Sequence, residues 1–257
     1  MSEHVRVERS GGVLAVTLAR PERRNAITVA MYATLADAIE TASTDPSVRL
    51  VTFHGEGQDF AAGNDLADFL DAARREGEEI AVWRFLRALA ACETPIVAAV
   101  HGNCVGIGTT MLLHCDLVVA EEAARFSMPF VDLGLVPEAA SSLLIPRLMG
   151  RRLAARYLLL GESFGVDEAM AIGLVSHRAA TGELGSALNG IVERLLAKPA
   201  EALRQTQRLL RHGSRDEILE RMQLEGGIFA ERLKSAEVKQ AISVFFERRA
   251  KDRDGPG

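Results

Sequence analysis

Two glycine-marked segments hold residues whose types and spacing suit the stabilisation of a negatively charged oxygen. The first is Gly55-Glu56-Gly57-Gln58-Asp59-Phe60-Ala61-Ala62-Gly63-Asn64-Asp65-Leu66, and the second is His101-Gly102-Asn103-Cys104-Val105-Gly106-Ile107-Gly108-Thr109-Thr110. Each follows a short apolar run, Leu50–Phe53 and Ile96–Val100, and each leads into an apolar stretch with helical spacing. A strand, a glycine turn and a helix start leave backbone N–H groups unpaired at the positive end of the helix dipole. Two such ends facing one another would hold an enolate or tetrahedral oxyanion, each donor lowering the barrier by roughly 3–4 kcal/mol. A carboxylate, Glu138, follows Leu135-Val136-Pro137. It reads either as the proton carrier that enolate chemistry needs or as a first-turn acid complementing a helix dipole. Asp132, a little upstream, reads as a second proton carrier or as a loop residue. Asp65 reads as a helix cap and Asp116 as structural.

Other chemistries find less support. The six histidines are scattered, and His101 and His114, near the glycine segments, read as core or turn residues. No His/Asp/Glu cluster has metal-ligand spacing, so no metal is expected. Cys92, Cys104 and Cys115 have neither CxxC spacing nor an even count, which argues against disulfides and zinc and fits a reducing compartment. Ser141-Ser142 lack a Gly-x-Ser-x-Gly elbow and are expected to pack in a helix or touch Glu138. A net charge of −5, with 48% hydrophobic and 25% charged residues, fits a globular enzyme and argues against nucleic acid as a partner. No apolar run is long enough to span a membrane. The polar start Met1-Ser2-Glu3-His4 suggests no signal peptide, and the end Lys251–Gly257 reads as a frayed tail without a Ser-Lys-Leu address. A cytoplasmic location is the expectation.

These residues need elements to position them. Val13–Leu18 and Val48–Phe53 read as strands, and Thr28 caps a helix with the apolar face Met31, Leu35, Ala38 and Ile39. Leu66, Phe69, Leu70 and Ala73 give a second helical face. Ile80–Ala91 reads as a helix ended by Thr94-Pro95, since the residue before proline avoids the α region. Asp116–Ala120 and Ala124–Ser127 read as short strands, and Pro137 stands where a helix could begin, with Leu143, Leu144 and Leu148 on its apolar side. Residues 199–250 read as wholly helical, anchored by Leu203, Leu209, Leu210, Ile218, Met222, Ile228, Leu233, Ile242 and Phe245. The expectation is an α/β core over 1–195 followed by a helical region over 196–257, whose many apolar positions suggest subunit packing.

Taken together, these residues resemble the crotonase, or enoyl-CoA hydratase/isomerase, superfamily. The carriers are Arg20-Pro21-Glu22-Arg23-Arg24-Asn25-Ala26, Gly63-Asn64-Asp65-Leu66, Val100-His101-Gly102 and Gly106-Ile107-Gly108, then Cys115-Asp116, Ala124-Arg125-Phe126, Leu133-Gly134-Leu135-Val136-Pro137-Glu138 and Gly173-Leu174-Val175. The resemblance covers nearly the whole chain. It implies a spiral of ββα repeats, a C-terminal helical trimerisation region giving a homotrimer or a dimer of trimers, and an acyl-CoA thioester as substrate. CoA is then part of the substrate, and no separate cofactor is expected. By the same resemblance, the N–H groups of Asn64 and Ile107 stand where the family's two oxyanion donors stand. Ala62, Gly63, Asp65 and Leu66 would line the CoA moiety with Ala26, Gly106 and Gly108, and Arg23 or Arg24 would approach its phosphates. The basic cluster Arg147, Arg151, Arg152 and Arg156 is either a solvated, salt-bridged face or a further contact to those phosphates.

The family's hydratases use two glutamates to handle a water molecule, and the motif matching places Thr110 and Phe130 at those positions. Neither is a general acid or base. Pro137-Glu138-Ala139-Ala140-Ser141-Ser142 with Gly63-Asn64-Asp65-Leu66 instead resembles the peroxisomal-type Δ3,Δ2-enoyl-CoA isomerases, in which one glutamate works alone. Such a glutamate should sit among apolar walls, here Leu135, Val136, Leu143 and Phe130, that raise its pKa by desolvation. The alternatives are a hydratase or other crotonase-type reaction using Asp132 or an unmatched group, and a non-catalytic acyl-CoA-binding protein.

Overall fold

The computed structural model describes residues 2–68 and 81–254. The expected helix face at Phe69, Leu70 and Ala73 lies outside the described residues, as do Ile80, the Phe245 side chain and the extreme C-terminus. Among the described residues the strands form two sheets. The larger has six strands: β1 (Val5–Ser10), β2 (Val13–Leu18), β3 (Leu50–Gly55), β4 (Ile96–Val100), β6 (Leu117–Glu121) and β9 (His177–Ala179), in that spatial order. Only β1 and β2 pair antiparallel; every later pair is parallel. The smaller sheet holds β5 (Asn103–Val105), β7 (Arg125–Ser127) and β8 (Phe164–Gly165).

A parallel strand covered on both faces carries an apolar residue at nearly every position, with alternate side chains entering opposite cores. In β4, Ile96, Ala98 and Val100 belong to the main core while Val97 and Ala99 belong to a second, smaller one. The second core is closed by Leu184 and Ile191 of α7, defined below. On the main side lie α1 (Val29–Thr44) and α2 (Ala81–Ala91). The Thr28 hydroxyl caps α1 by accepting from the Met31 N–H at 3.2 Å, as its position before the apolar face predicts. Phe53 from β3 is fully buried here, its ring edge-on to Phe85 with centroids 6.4 Å apart.

The chain then builds α3 (Ile107–Thr110), which continues as a 3-10 turn to His114, followed by α4 (Ser141–Met149), α5 (Arg151–Leu159), α6 (Val166–Ala171), α7 (Leu184–Leu196), α8 (Ala200–Arg211), α9 (Arg215–Leu233) and α10 (Ala236–Asp254). The last three fill nearly all of 199–250, which was expected to be helical, with breaks at Gly213, at φ +83°, and at the turn 234–235. Met222, Phe229, Leu233, Val238 and Ile242 from α9 and α10 enter the main core. Leu209, Leu210 and Ile228 do not; they are 72%, 77% and 41% exposed. Asp116 fastens α8 to the sheet: one carboxylate oxygen accepts from the Ile96 N–H at 2.8 Å and the other faces the Arg211 guanidinium at 3.3 Å. That is the structural role expected of it.

Two further differences bear on the site. The hairpin strand β1 was not anticipated, since only Val5 of its six residues is buried and it shows no apolar face. The helix expected from Pro137 starts at Ser141 instead, after Ala139 and Ala140 in the left-handed region at φ 60° and 55°. Glu138 therefore lies ahead of the helix and is not a first-turn acid.

Phe53→Ala should lower the unfolding free energy by about 3–5 kcal/mol, because an aromatic side chain is deleted from a site with no freedom to collapse. Urea denaturation of wild type and variant measures it, and a loss below about 1 kcal/mol would contradict this packing.

Candidate active site

The two glycine turns lie beyond the carboxyl ends of the neighbouring parallel strands β3 and β4, the edge where open α/β sheets place ligand sites. They do not follow the strands directly, as the spacing suggested. The chain first makes a β-bridge between Ala61 and Cys104, and β5 separates Gly102 from Gly106. This detour brings the turns into contact. A Cβ on Gly63 would lie 3.3 Å from the Val105 carbonyl oxygen, and one on Gly106 would lie 3.9 Å from the Gly63 Cα. Both glycines have positive φ, 91° and 56°.

The hydrogen-bond pattern leaves donors over. Asp65 N–H donates to the Ile27 carbonyl and Ala62 N–H to that of Arg24, while Thr109 and Thr110 N–H both donate to the Gly106 carbonyl. Among the described residues, the N–H groups of Asn64 and Ile107 have no protein acceptor. Two orphan donors on turns in mutual contact are the geometry that anchoring one oxyanion requires.

Both turns line a cleft of about 1130 Å³ that also takes in Arg23, Arg24, Ala26, Ala62, Asp65, Leu66, Phe130, Asp132 and Leu135. Most of the residues singled out in the sequence are thus brought together. Glu138, Gly108 and Thr110 are not on its wall; Glu138 lies buried three residues along the chain from Leu135, which is. Gly108 is a packing glycine whose Cβ would meet the Ala61 Cβ at 3.0 Å, and Thr110 is fully buried with no partner for its Oγ1. Asp65 is a cap and an ion-pair partner: it accepts from Asp68 N–H at 3.3 Å and from Arg20 at 2.8 Å. Asp132 is exposed on the cleft rim beside Gly161, a loop residue. Arg147 pairs with Glu217, and Arg156 with Glu162, away from the cleft.

Glu138 is 2% exposed and its Oε1 has no hydrogen-bond partner among the described residues. Burial, reinforced by the neighbouring Glu225 charge, pushes its carboxyl up to about 8. Its main chain is held hard. The Ser141 hydroxyl donates to the Glu138 carbonyl at 2.6 Å, and the His114 Nε2–H donates to the Ala139 carbonyl at 2.8 Å. Burial brings that imidazole down to about 4, so it is neutral at working pH. These bonds hold two consecutive left-handed alanines, each costing on the order of 1–2 kcal/mol.

Sequence reasoning passed over two residues here. Tyr32, fully buried on α1, donates its hydroxyl to the Asn64 Oδ1 at 2.5 Å. Burial and, after it, the Glu138 charge raise its pKa. Glu225, on α9, accepts from the N–H groups of Ala140 at 2.7 Å and Ser142 at 2.9 Å. A signal existed for each: a tyrosine within an apolar helix face needs a hydroxyl partner, and Glu225 interrupts the stripe Met222–Phe229 with an acid. Arg20 and Asn25, from the first motif, stitch the cleft wall. Arg20 donates to the Ala26 carbonyl at 2.9 Å, and Asn25 donates to the Glu56 and Asp59 carbonyls at 2.8 Å each.

Comparison with known proteins agrees with this architecture. The sequence model described as enoyl-CoA hydratase/isomerase matches residues 8–254. A crystal structure of an enoyl-CoA hydratase/isomerase from Pseudoalteromonas atlantica superposes with a TM-score of 0.90 at 41% identity, covering 96% of this chain and 98% of that one. The rat protein enoyl-CoA delta isomerase 2 is 32% identical over 97% of this chain, which spans 65% of that relative's length. The 2,3-dehydroadipyl-CoA hydratase of Escherichia coli K12 is 31% identical across 99% of this chain and 100% of its own. With its mixed α/β crotonase fold and a family match along almost its whole length, the chain belongs to the enoyl-CoA hydratase/isomerase family.

Proposed function

We propose that the chain is a Δ3,Δ2-enoyl-CoA isomerase in which Glu138 carries the proton. The observation that supports this reading is a buried carboxylate with one oxygen unpartnered and, among the described residues, no second free acid beside it. The Glu138 carboxylate takes a proton from C2 of a 3-enoyl thioester, and the electrons move onto the thioester oxygen. The N–H groups of Asn64 and Ile107 hold that dienolate oxygen. The Glu138 carboxylic acid then gives the proton to C4, leaving the double bond between C2 and C3 and the carboxylate as it began. A 1,3-proton shift needs one carboxylate because the proton is returned.

Hydration needs more than this. The positions matched to the hydratase glutamates hold Thr110 and Phe130, and Phe130 is an apolar wall, 5% exposed. The carboxylate beside Glu138 is Glu225, and each of its oxygens already accepts a backbone N–H. Asp132 sits out on the rim. The likeness to a delta isomerase and to a hydratase is compatible with either reaction, and the carboxylate inventory favours isomerisation.

The purified protein should convert 3-hexenoyl-CoA and leave crotonyl-CoA essentially unhydrated. Glu138→Gln should lower isomerisation by at least about 10²-fold while leaving thioester binding largely intact. Efficient hydration, or turnover that survives the substitution, would overturn the reading.

Turnover should also rise with pH through about 8, because the base must be ionised. The stability consequence has the opposite sign. A carboxyl whose folded pKa is raised above its unfolded value binds its proton more tightly when folded. Its contribution is full below the ordinary glutamate range and is lost as pH climbs through about 8. Glu138→Gln should therefore show a higher Tm than wild type at pH 9 and little difference at pH 5. Equal Tm differences at both values would mean that the carboxyl titrates normally.

A further inference from the structure

We propose that Glu225 is a positioning residue for the proton carrier: its carboxylate clamps the strained turn after Glu138 and sets the electrostatic environment in which Glu138 titrates. The inference rests on the reading of Glu138 as the acid/base. Glu225 is 4% exposed, and both of its oxygens are engaged, one by the Ala140 N–H at 2.7 Å and the other by the Ser142 N–H at 2.9 Å. Those two N–H groups flank the start of α4, immediately beyond the left-handed Ala139–Ala140 pair. An alanine has no preference for that conformation, so the turn depends on what grips it. Glu225 grips it from an element far along the chain, and Ser141 and His114 add the local bonds described above.

The same carboxylate is a negative neighbour of Glu138; burial pushes the Glu225 carboxyl up, while its Ser142 and Ala140 bonds and Arg221 act the other way. The other groups around Glu138 are few. From α1 comes Tyr32, which is neutral. From the 3-10 turn comes His114, also neutral, with the Arg211 guanidinium behind it on the His114 carbonyl at 2.6 Å. From α9 itself comes Arg221, which reaches the Ser142 hydroxyl at 3.3 Å and partly offsets Glu225. A like charge held beside a buried carboxylate disfavours its ionisation, so Glu225 makes Glu138 a stronger base than burial alone would. With a backbone N–H on each oxygen, Glu225 is held towards the turn as an acceptor.

The test is the titration of Glu138 in the full chain, read in two ways. One is the pH profile of kcat on 3-hexenoyl-CoA. The other is the carboxyl resonance in protein labelled with 13C-glutamate, assigned by its absence in Glu138→Gln. Glu225→Gln keeps one acceptor but removes the charge, and circular dichroism reports whether it folds. It should move both titrations to lower pH by about one unit, with Glu225→Asp moving them back towards wild type. Arg221→Gln leaves the Glu225 hydrogen bonds in place and should move them upward; it carries the test if the Glu225 variants do not fold. A Glu138 resonance that titrates as in wild type in folded Glu225→Gln, or in Arg221→Gln, overturns the proposal whatever happens to kcat. Persistence of isomerisation in Glu138→Gln would instead overturn the function assigned to Glu138, while the resonance would still report on Glu225.

Discussion

Burying a carboxyl group with an oxygen left unpartnered is unfavourable by several kcal/mol, and a protein tolerates it only where the surroundings compel it. Glu138 meets that condition. Its carbonyl is bonded by Ser141 and that of Ala139 by His114, the following turn is gripped by Glu225, and the Tyr32 hydroxyl is engaged by Asn64. A hydroxyl or imidazole N–H turned towards the free oxygen would stabilise the fold and lower the basicity of the group. Their engagement elsewhere keeps the carboxyl uncomfortable and therefore basic.

The same logic explains why the two glycine turns touch. Backbone N–H groups serve an oxyanion only if no carbonyl has claimed them, and a compact protein rarely leaves two such donors together. Here the Gly63 and Gly106 turns touch in positive-φ conformations that side chains disfavour, and the bridges Ala61–Cys104 and Ile27–Asn64 use up the flanking donors and acceptors. What remains on the cleft side is the pair at Asn64 and Ile107. Stability is concentrated in the buried strands behind this edge, and the exposed rim carries the charged residues Arg23 and Arg24.

Much of this was legible from local pattern. Thr28 before the face Met31–Ile39 predicts the first long helix because an N-cap and a 3.6-residue period are both local signals. The apolar runs at Leu50 and Ile96 predict strands, and the glycine segments predict turns with unpaired N–H groups. What escaped depended on distant partners. The strand Val5–Ser10 shows almost no buried residue and exists by pairing with Val13–Leu18. The delayed start of the helix at Ser141 depends on left-handed alanines that no propensity suggests, held by a glutamate on another element. The direct passage from strand to glycine turn failed for a similar reason: β5 at 103–105 pairs with β7, which comes later in the chain.

The bonds from Glu225 to Ala140 and Ser142 also order events in time. They join positions 85 and 83 residues apart, a loop closed late in folding because its entropy must be overcome before the contact forms. A chain emerging from the ribosome would complete both sheets and both oxyanion turns before α9 could dock. Until then the segment around Glu138 lacks its grip and the carboxyl remains hydrated, as an ordinary surface acid. The buried setting of Glu138 therefore arrives with the closing helices, and a nascent or clipped chain would own every local motif of the site without it.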